Sequence, residues 1–189
     1  MQSCERLVRL INDILDSEKM LSGKMEFSLR QIDPVEVVER SMRENESYAA
    51  GHKVAVRLDN RAAGASVIAD RDRLVQVVTN LLSNACKFSP AGGVVAVLIE
   101  RSANSIGVSV GDRGSGIPAD LQGRLFERFA QLDSNDSRRR SGTGLGLSIS
   151  KSIIERLGGT IAFRAREGGG SVFVFELPLA GETSIGKAG

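Results

Sequence analysis

The sequence predicts an α/β fold, a two-layer α/β sandwich in which helices cover one face of a mixed sheet, preceded by one long amphipathic helix. Segments with helical and with strand-like periodicity alternate through the first half of the chain. In the second half, strand-like segments come in consecutive pairs, 94–100 with 106–110 and 160–166 with 171–177, which indicates hairpins. Alternation followed by hairpins is typical of a mixed sheet with its helices on one side.

Residues 3–21 predict the amphipathic helix, because their apolar side chains recur at helical spacing. A single helix at a chain end must bury such a stripe, and we expect it to pack in a bundle or coiled coil with a partner. A helix folded back on its own domain is the alternative. The stripe consists of Leu7, Leu10, Ile11, Ile14, Leu15 and Leu21.

The remaining elements follow from caps, periodicity and breakers. Asp33-Pro34 predicts the start of a helix that runs to about Ala50, because Asp caps a helix and Pro fits its first turn. Asp70 opens a third helix, which ends before Pro90. We divide the chain into an N-terminal helix at 1–22, an α/β domain at 23–179 and a tail at 180–189. Strands are further predicted at 25–32, at 53–58 and in the four hairpin segments. Helices are predicted at 118–129 and 145–157, and a loop is predicted at 130–141.

The composition excludes several classes of function. The 189 residues are 41% hydrophobic and 25% charged, as in soluble globular proteins. A net charge of +2 and an aromatic content of 4% argue against a nucleic-acid partner. No run of about 18 apolar residues occurs, so we expect no membrane contact by this piece. Cys4 and Cys86 lack zinc spacing and fit packing roles in a reduced, cytoplasmic location. Whether a parent protein is anchored in a membrane stays open.

Polar side chains share one face of the third predicted helix. Asn80, Asn84 and Lys87 lie at i, i+4 and i+7, while apolar residues line another face. An amide oxygen suits Mg²⁺, and an ammonium can meet a phosphate. By itself, the pattern is equally that of a solvated helix face.

Two glycine segments follow this helix. Asp112 comes after a strand and before Gly114 and Gly116, so its carboxylate can accept from an adenine amine where the backbone allows close approach. Alone, this segment is also an ordinary glycine-rich turn. Residues 142–147 open the next helix, whose N–H groups and dipole favour phosphates. That run lacks the lysine of a P-loop, and no strand leads directly into it.

Taken in order, five segments resemble the catalytic, ATP-binding domain of a sensor histidine kinase, within the GHKL superfamily shared with Hsp90, type II topoisomerases and MutL. The resemblance covers about residues 25–179 and implies a Bergerat-type ATP site. It also makes residues 1–22 part of the second helix of the dimerisation hairpin. The segments are 76–88 for the N box, 112–118 for G1, 125–129 for the F box, 142–147 for G2 and 170–178 for the closing hairpin.

The resemblance implies roles for individual residues. Asn84 would hold Mg²⁺ with Asn80 in support, Lys87 would touch phosphate, and Asp112 would read adenine. Residues 130–141 would form the ATP lid. Phe126 and Phe129 are expected to be hydrophobic anchors of that loop, and Arg128 has either a phosphate contact or a surface role. The pocket and the polyphosphate would further involve Gly114, Gly116, Ile117, Gly142, Thr143, Gly144, Leu145, Gly146 and Leu147.

The implied reaction is transfer of the ATP γ-phosphoryl group to a histidine, followed by relay to an aspartate of a response regulator. Hydrolysing relatives typically carry Glu where this chain has Asn80, and an amide cannot activate water. We expect the parent kinase to be a homodimer through helix 3–21. The only histidine, His52, is followed by Lys53 rather than an acidic residue. We therefore expect no phosphoacceptor in this chain, and a histidine supplied in trans or by a segment outside it.

Two other functions remain open from the sequence. The chain could be an interaction module of the same fold that has lost nucleotide binding. It could also be a serine/threonine kinase of the anti-sigma type, which shares the pocket, although the F box and helix 3–21 argue against this.

Overall fold

A computed structural model describes residues 11, 14–20, 22–62, 64–130, 144–166 and 168–181. Its centre is a five-stranded mixed sheet with the order β2-β4-β5-β7-β6. The β2–β4 pair is parallel, and the other three pairs are antiparallel. A separate antiparallel pair joins β1 to β3. The strands are β1 (Arg30–Ile32), β2 (Ala55–Arg61), β3 (Val67–Ala69), β4 (Val94–Arg101), β5 (Ser105–Gly111), β6 (Thr160–Ala165) and β7 (Ser171–Pro178).

Helices cover one face of the sheet, which confirms the predicted two-layer sandwich. Along the central strands every second side chain is buried, as in Val95, Val97 and Ile99 of β4. These side chains and the apolar face of the longest helix form one core. The helices are α1 (Pro34–Glu44), α2 (Glu46–Gly51), α3 (Arg71–Phe88), α4 (Ala119–Gln122) and α5 (Gly146–Arg156).

The long helix α3 begins where the sequence predicts it. Oδ1 of Asp70 accepts from the N–H groups of Asp72 and Arg73 at 3.0 and 3.1 Å, and its Oδ2 accepts from the Ser28 N–H at 2.8 Å. The helix ends at Phe88, and its C-cap Ser89 directly precedes Pro90. Because α3 is capped at its start and buried along one face, it is a firm support for the side chains on its other face.

Three predicted elements differ from the structure. The expected strand 25–32 is shortened to Arg30–Ile32, because its partner β3, which the sequence did not predict, is only three residues long. The expected helix 33–50 divides at Asn45, where the amide Nδ2 donates to the Ser41 carbonyl at 2.8 Å. The predicted helix 118–129 is helical only in Ala119–Gln122.

The N-terminal helical segment is described only in part. Residues 14–20 are helical, and the rest of the predicted helix 3–21 lies outside the described residues, Ile11 excepted. Ile11, Ile14 and Leu15 of the apolar stripe are 48%, 46% and 50% exposed, so the domain leaves these three side chains open. Among the described residues, no helix is both long and apolar enough to span a bilayer.

Candidate functional site

Helix α3 carries the two asparagines of the predicted site, and hydrogen bonds connect them to α5. Nδ2 of Asn84 donates to Oδ1 of Asn80 at 3.4 Å, and Nδ2 of Asn80 donates to the Ser150 Oγ at 3.0 Å. Ser150 is 2% exposed. Both polar atoms of the Asn80 side chain are therefore used within the protein, whereas Oδ1 of Asn84 accepts from no described side chain.

The first turn of α5 packs directly on Asn80. A Cβ atom at Gly146 would overlap Oδ1 of Asn80 and lie 3.1 Å from its Nδ2, a distance that real side chains rarely tolerate. Glycine at this position is therefore required by the close approach of the two helices. No side chain caps the start of α5.

The residues just before α5 lie against the F-box segment. Gly144 has a φ of +71°, and a Cβ there would lie 2.8 Å from the backbone of Phe129. Of the G2 segment, Gly142 and Thr143 lie outside the described residues. Leu145 is 1% exposed and Leu147 packs against the core. Any contribution of Leu145 to a ligand would therefore come from its backbone.

Asp112 is a buried carboxylate at the end of β5. Its side chain accepts from the Gly114 N–H at 2.7 Å, and its own N–H donates to the Ser171 carbonyl of β7 at 2.9 Å. The residue is 4% exposed. Burial raises the pKa of the carboxyl, while backbone hydrogen bonds and the positive charge of Arg166 oppose that rise. Besides the Gly114 N–H, the backbone of Ser171 also acts on this carboxylate, and no described side chain donates to Oδ2.

Close backbone contacts build the wall around Asp112. A Cβ at Gly114 would overlap the carbonyl oxygen of Phe88 at the end of α3. A Cβ at Gly170, whose φ is +104°, would overlap the carbonyl oxygen of Asp112. Gly116, with a φ of +72°, faces the Gly170 carbonyl in turn. The G1 segment thus touches both the end of α3 and the turn that enters β7.

Other predicted residues take more peripheral positions. Nζ of Lys87 lies 4.8 Å from the centroid of the Phe88 ring, in the last turn of α3. Ile117 packs against the core, and Arg128 is exposed. These positions neither require nor exclude a phosphate contact for Lys87 and Arg128.

The F box contains one anchor rather than two. Phe126 packs edge-on against Phe173 of β7, with ring centroids 6.3 Å apart, as expected for an anchor. The same expectation was wrong for Phe129, whose side chain is 68% exposed. Its φ of +59°, in contact with Gly144, turns the chain away from the core.

Helix α3 brings the two glycine segments into one site: Asn80 contacts the start of α5, and Phe88 contacts the G1 turn. Sequence reasoning missed the supporting roles of Ser150, Arg166 and Gly170. Ser150 is one of three serines within five residues, and nothing in the sequence distinguishes it from the others. In the part of the chain that the structure describes, no group of three His, Cys, Asp or Glu side chains could hold a metal ion.

Comparisons with known proteins agree with this geometry. Residues 69–181 match the family described as "Histidine kinase-, DNA gyrase B-, and HSP90-like ATPase". The signal transduction histidine-protein kinase BarA of Escherichia coli K12 is 37% identical over 189 residues, which cover 94% of this chain and 20% of BarA.

Two solved structures share the fold at moderate sequence identity. Full-length ShkA in complex with AMPPNP superposes with a TM-score of 0.81 at 27% identity, over 94% of this chain and 37% of ShkA. The histidine kinase ThkA in complex with the response regulator protein TrrA has a TM-score of 0.71 at 26% identity, over 93% of this chain and 48% of ThkA.

The chain spans about a fifth or less of the length of BarA and of the hybrid signal transduction histidine kinase D of Dictyostelium discoideum. The family match includes α3, both glycine segments and β7, which are the elements that build the site. The chain therefore belongs to the family of histidine kinase-, DNA gyrase B- and HSP90-like ATPases, as an ATP-binding domain of the histidine kinase type.

Proposed function

We propose that this chain binds Mg·ATP and transfers the γ-phosphoryl group to a histidine of a partner polypeptide or of a segment outside the chain. The observation that carries the proposal is the buried carboxylate of Asp112 beside glycines that leave no room for a side chain. A buried charge is costly unless it has a partner, and a ligand amine supplies one.

Asp112 selects adenine in this proposal. One carboxylate oxygen is used by the Gly114 N–H, which orients the group, and the other accepts from the exocyclic amine of the base. Guanine presents a carbonyl oxygen where adenine has its amine, and two acceptors repel each other. Gly114 and Gly116 keep the wall bare, so the base approaches the backbone closely.

The phosphates lie between α3 and the start of α5. Oδ1 of Asn84 is an oxygen ligand of the kind Mg²⁺ prefers, and the Asn80–Ser150 bond holds Asn84 in place from behind. One amide oxygen does not hold Mg²⁺ alone, so the other ligands of the ion would be phosphate oxygens and waters. Lys87 contributes positive charge, and segment 142–147, which leads into α5, contributes N–H groups.

The residues favour phosphoryl transfer over hydrolysis. Asn80 donates through Nδ2 and accepts through Oδ1, so it has no basic site left to remove a proton from water. Catalysis then consists mainly of positioning and charge neutralisation. An aspartate of a response regulator receives the phosphoryl group next, a step that the ThkA complex with TrrA supports by analogy. The open stripe of Ile11, Ile14 and Leu15 supports a homodimer through helix 3–21.

A calorimetric titration with the non-hydrolysable analogue AMPPNP, with and without Mg²⁺, tests the proposal. We expect Mg²⁺-dependent binding by the intact chain, and strong weakening in Asp112→Asn and Asn84→Ala. Glu46→Gln is the matched control, because Glu46 is exposed on α2, away from the site. Absence of binding by the intact chain would instead support an interaction module.

The chemical stability of the labelled product separates histidine kinase from serine/threonine kinase. Phosphohistidine is lost in acid, whereas phosphoserine survives it. We expect an acid-labile label on an added acceptor that carries the histidine. An acid-stable label would overturn the assignment of the acceptor while leaving nucleotide binding intact.

A further inference from the structure

A closed ring of three hydrogen bonds connects the N-terminal helical segment to α3. Oδ2 of Asp16 accepts from Nη1 of Arg73 at 3.0 Å and from Nε2 of Gln76 at 2.8 Å. Arg73 also donates from Nη1 to Oε1 of Gln76 at 3.0 Å. We call these three side chains the polar lock.

The polar lock is shielded from water more than any other ion pair in the part of the chain that the structure describes. The side chains of Asp16 and Arg73 are 14% and 25% exposed. In each of the other ion pairs found among the described residues, both side chains are at least 44% exposed. Exposed pairs contribute little, whereas removing one partner of a shielded pair leaves the other uncompensated.

The lock lies on the side of the N-terminal segment that faces the domain. Asp16, Ser17 and Met20 fall on one side of a helix, and Ser17 is 7% exposed while Met20 packs against the core. Ile14 and Leu15, by contrast, are about half exposed. The segment thus contacts the domain through one side, and the hydrogen bonds of the lock are the interactions in this contact that depend on orientation.

The same lock connects to the site through α3. Gln76, Asn80 and Asn84 follow each other at intervals of four residues, so they form a row along one side of the helix. Neighbours in the row are about 6 Å apart along the helix axis. A continuous helix does not absorb a displacement at Gln76 within that distance.

Apolar packing also supports the contact: Met25 is 6% exposed, and Met20 and Phe27 pack against the core. A surface cavity of about 510 Å³ lies between the connecting segment and the start of α3, lined by Glu26, Phe27, Ser28, Asp70, Asp72 and Arg73. The lock is therefore the polar part of a contact that apolar side chains also hold.

We propose that Asp16 is a positioning residue: with Arg73 and Gln76 it sets the register of the N-terminal helix on α3, and so couples the orientation of that helix to the nucleotide site. The locking of the helix is independent of the proposed function, whereas the coupling rests on it. Because coupling is reciprocal, occupation of the site changes the docking of the helix as much as docking changes affinity.

Hydrogen exchange of the backbone amides of residues 17–24 tests the locking without nucleotide. We expect exchange about ten-fold faster or more in Asp16→Ala, and an intermediate rate in Asp16→Asn, which keeps an oxygen acceptor but not the charge. Glu18→Gln, which removes an exposed charge from the same helix, should leave the rate unchanged. Amides 77–85 of α3 report whether each variant is folded. Unchanged exchange in a folded Asp16→Ala would overturn the lock.

The coupling is tested by repeating the exchange with saturating Mg²⁺ and AMPPNP. We expect a change of at least three-fold in residues 17–24 of the wild-type chain, which Asp16→Ala abolishes and Asp16→Asn partly retains. An equal response in wild type and Asp16→Ala, or none in a wild-type chain that binds AMPPNP by calorimetry, overturns the coupling. Absence of calorimetric binding would instead sink the proposed function, and the nucleotide-free experiment would still decide on the lock.

Discussion

Replacing Asp112 by asparagine separates recognition from stability, because the two depend on the same buried charge in opposite ways. Asparagine keeps the shape of the side chain and an oxygen for the Gly114 N–H. It loses the charge, and with it the charge-assisted hydrogen bond to the adenine amine. Hydrogen bonds to charged groups contribute about 1.5–3 kcal/mol. We therefore expect AMPPNP binding to weaken about 10- to 150-fold in Asp112→Asn.

The same substitution should stabilise the fold at neutral pH. Burial raises the pKa of the Asp112 carboxyl, so the folded chain holds this proton more tightly than the unfolded chain does. The resulting stabilisation is fully present below the unfolded pKa and is lost as the pH rises through the folded pKa. Asparagine never ionises and escapes this loss. Each unit of difference between the two pKa values corresponds to about 1.4 kcal/mol of stability. In a chain of this size, each kcal/mol shifts the melting temperature by roughly 2–4 °C.

The assays are calorimetric titration at pH 7 and thermal unfolding from pH 4 to pH 8. The difference in melting temperature between Asp112→Asn and wild type should grow in favour of the variant as the pH rises. Glu46→Gln controls for the loss of a surface carboxylate. A folded Asp112→Asn chain that binds AMPPNP within two-fold of wild type would refute the role of Asp112 in adenine recognition. A variant that melts below wild type at pH 7 would refute the argument from burial.

Two further substitutions test the supports of the site. Ser150→Ala removes the acceptor of the Asn80 amide in a buried place, and we expect the free energy of unfolding to fall by about 1–3 kcal/mol, measured in urea. Ser152→Ala, in which only a bond to the Ser148 carbonyl within α5 is lost, should cost less, and equal costs would contradict the assigned bond. Gly170→Ala places a Cβ on the Asp112 carbonyl at a φ of +104°. It should lower the melting temperature and weaken AMPPNP binding together, and wild-type values for both would show that this wall is not rigid.

Much of the fold could be predicted because its signals are local. Asp70 caps α3 through hydrogen bonds to residues two and three positions ahead, and the hairpin strands β4–β5 and β6–β7 pair with sequence neighbours. The strand β3 was missed because three residues carry no detectable periodicity, and its pairing with β1 spans 35 residues or more. The break at Asn45 was missed because an asparagine amide can bond either to a nearby backbone carbonyl or to solvent. Here it bonds to the Ser41 carbonyl.

The site, like the fold, has features that follow from local sequence and features that depend on tertiary packing. The sequence by itself determined which groups are available: the amides of Asn80 and Asn84, the carboxylate of Asp112, and glycines where no side chain fits. Only the tertiary structure decided that Asn80 is used by Ser150, that Gly170 closes on Asp112, and that Asp16 reaches Arg73 and Gln76. Residue type and local spacing set what a side chain can donate or accept. Its partner, when 57 or 70 positions away, is set by how helices pack on the sheet, and no local pattern in the chain records that distance.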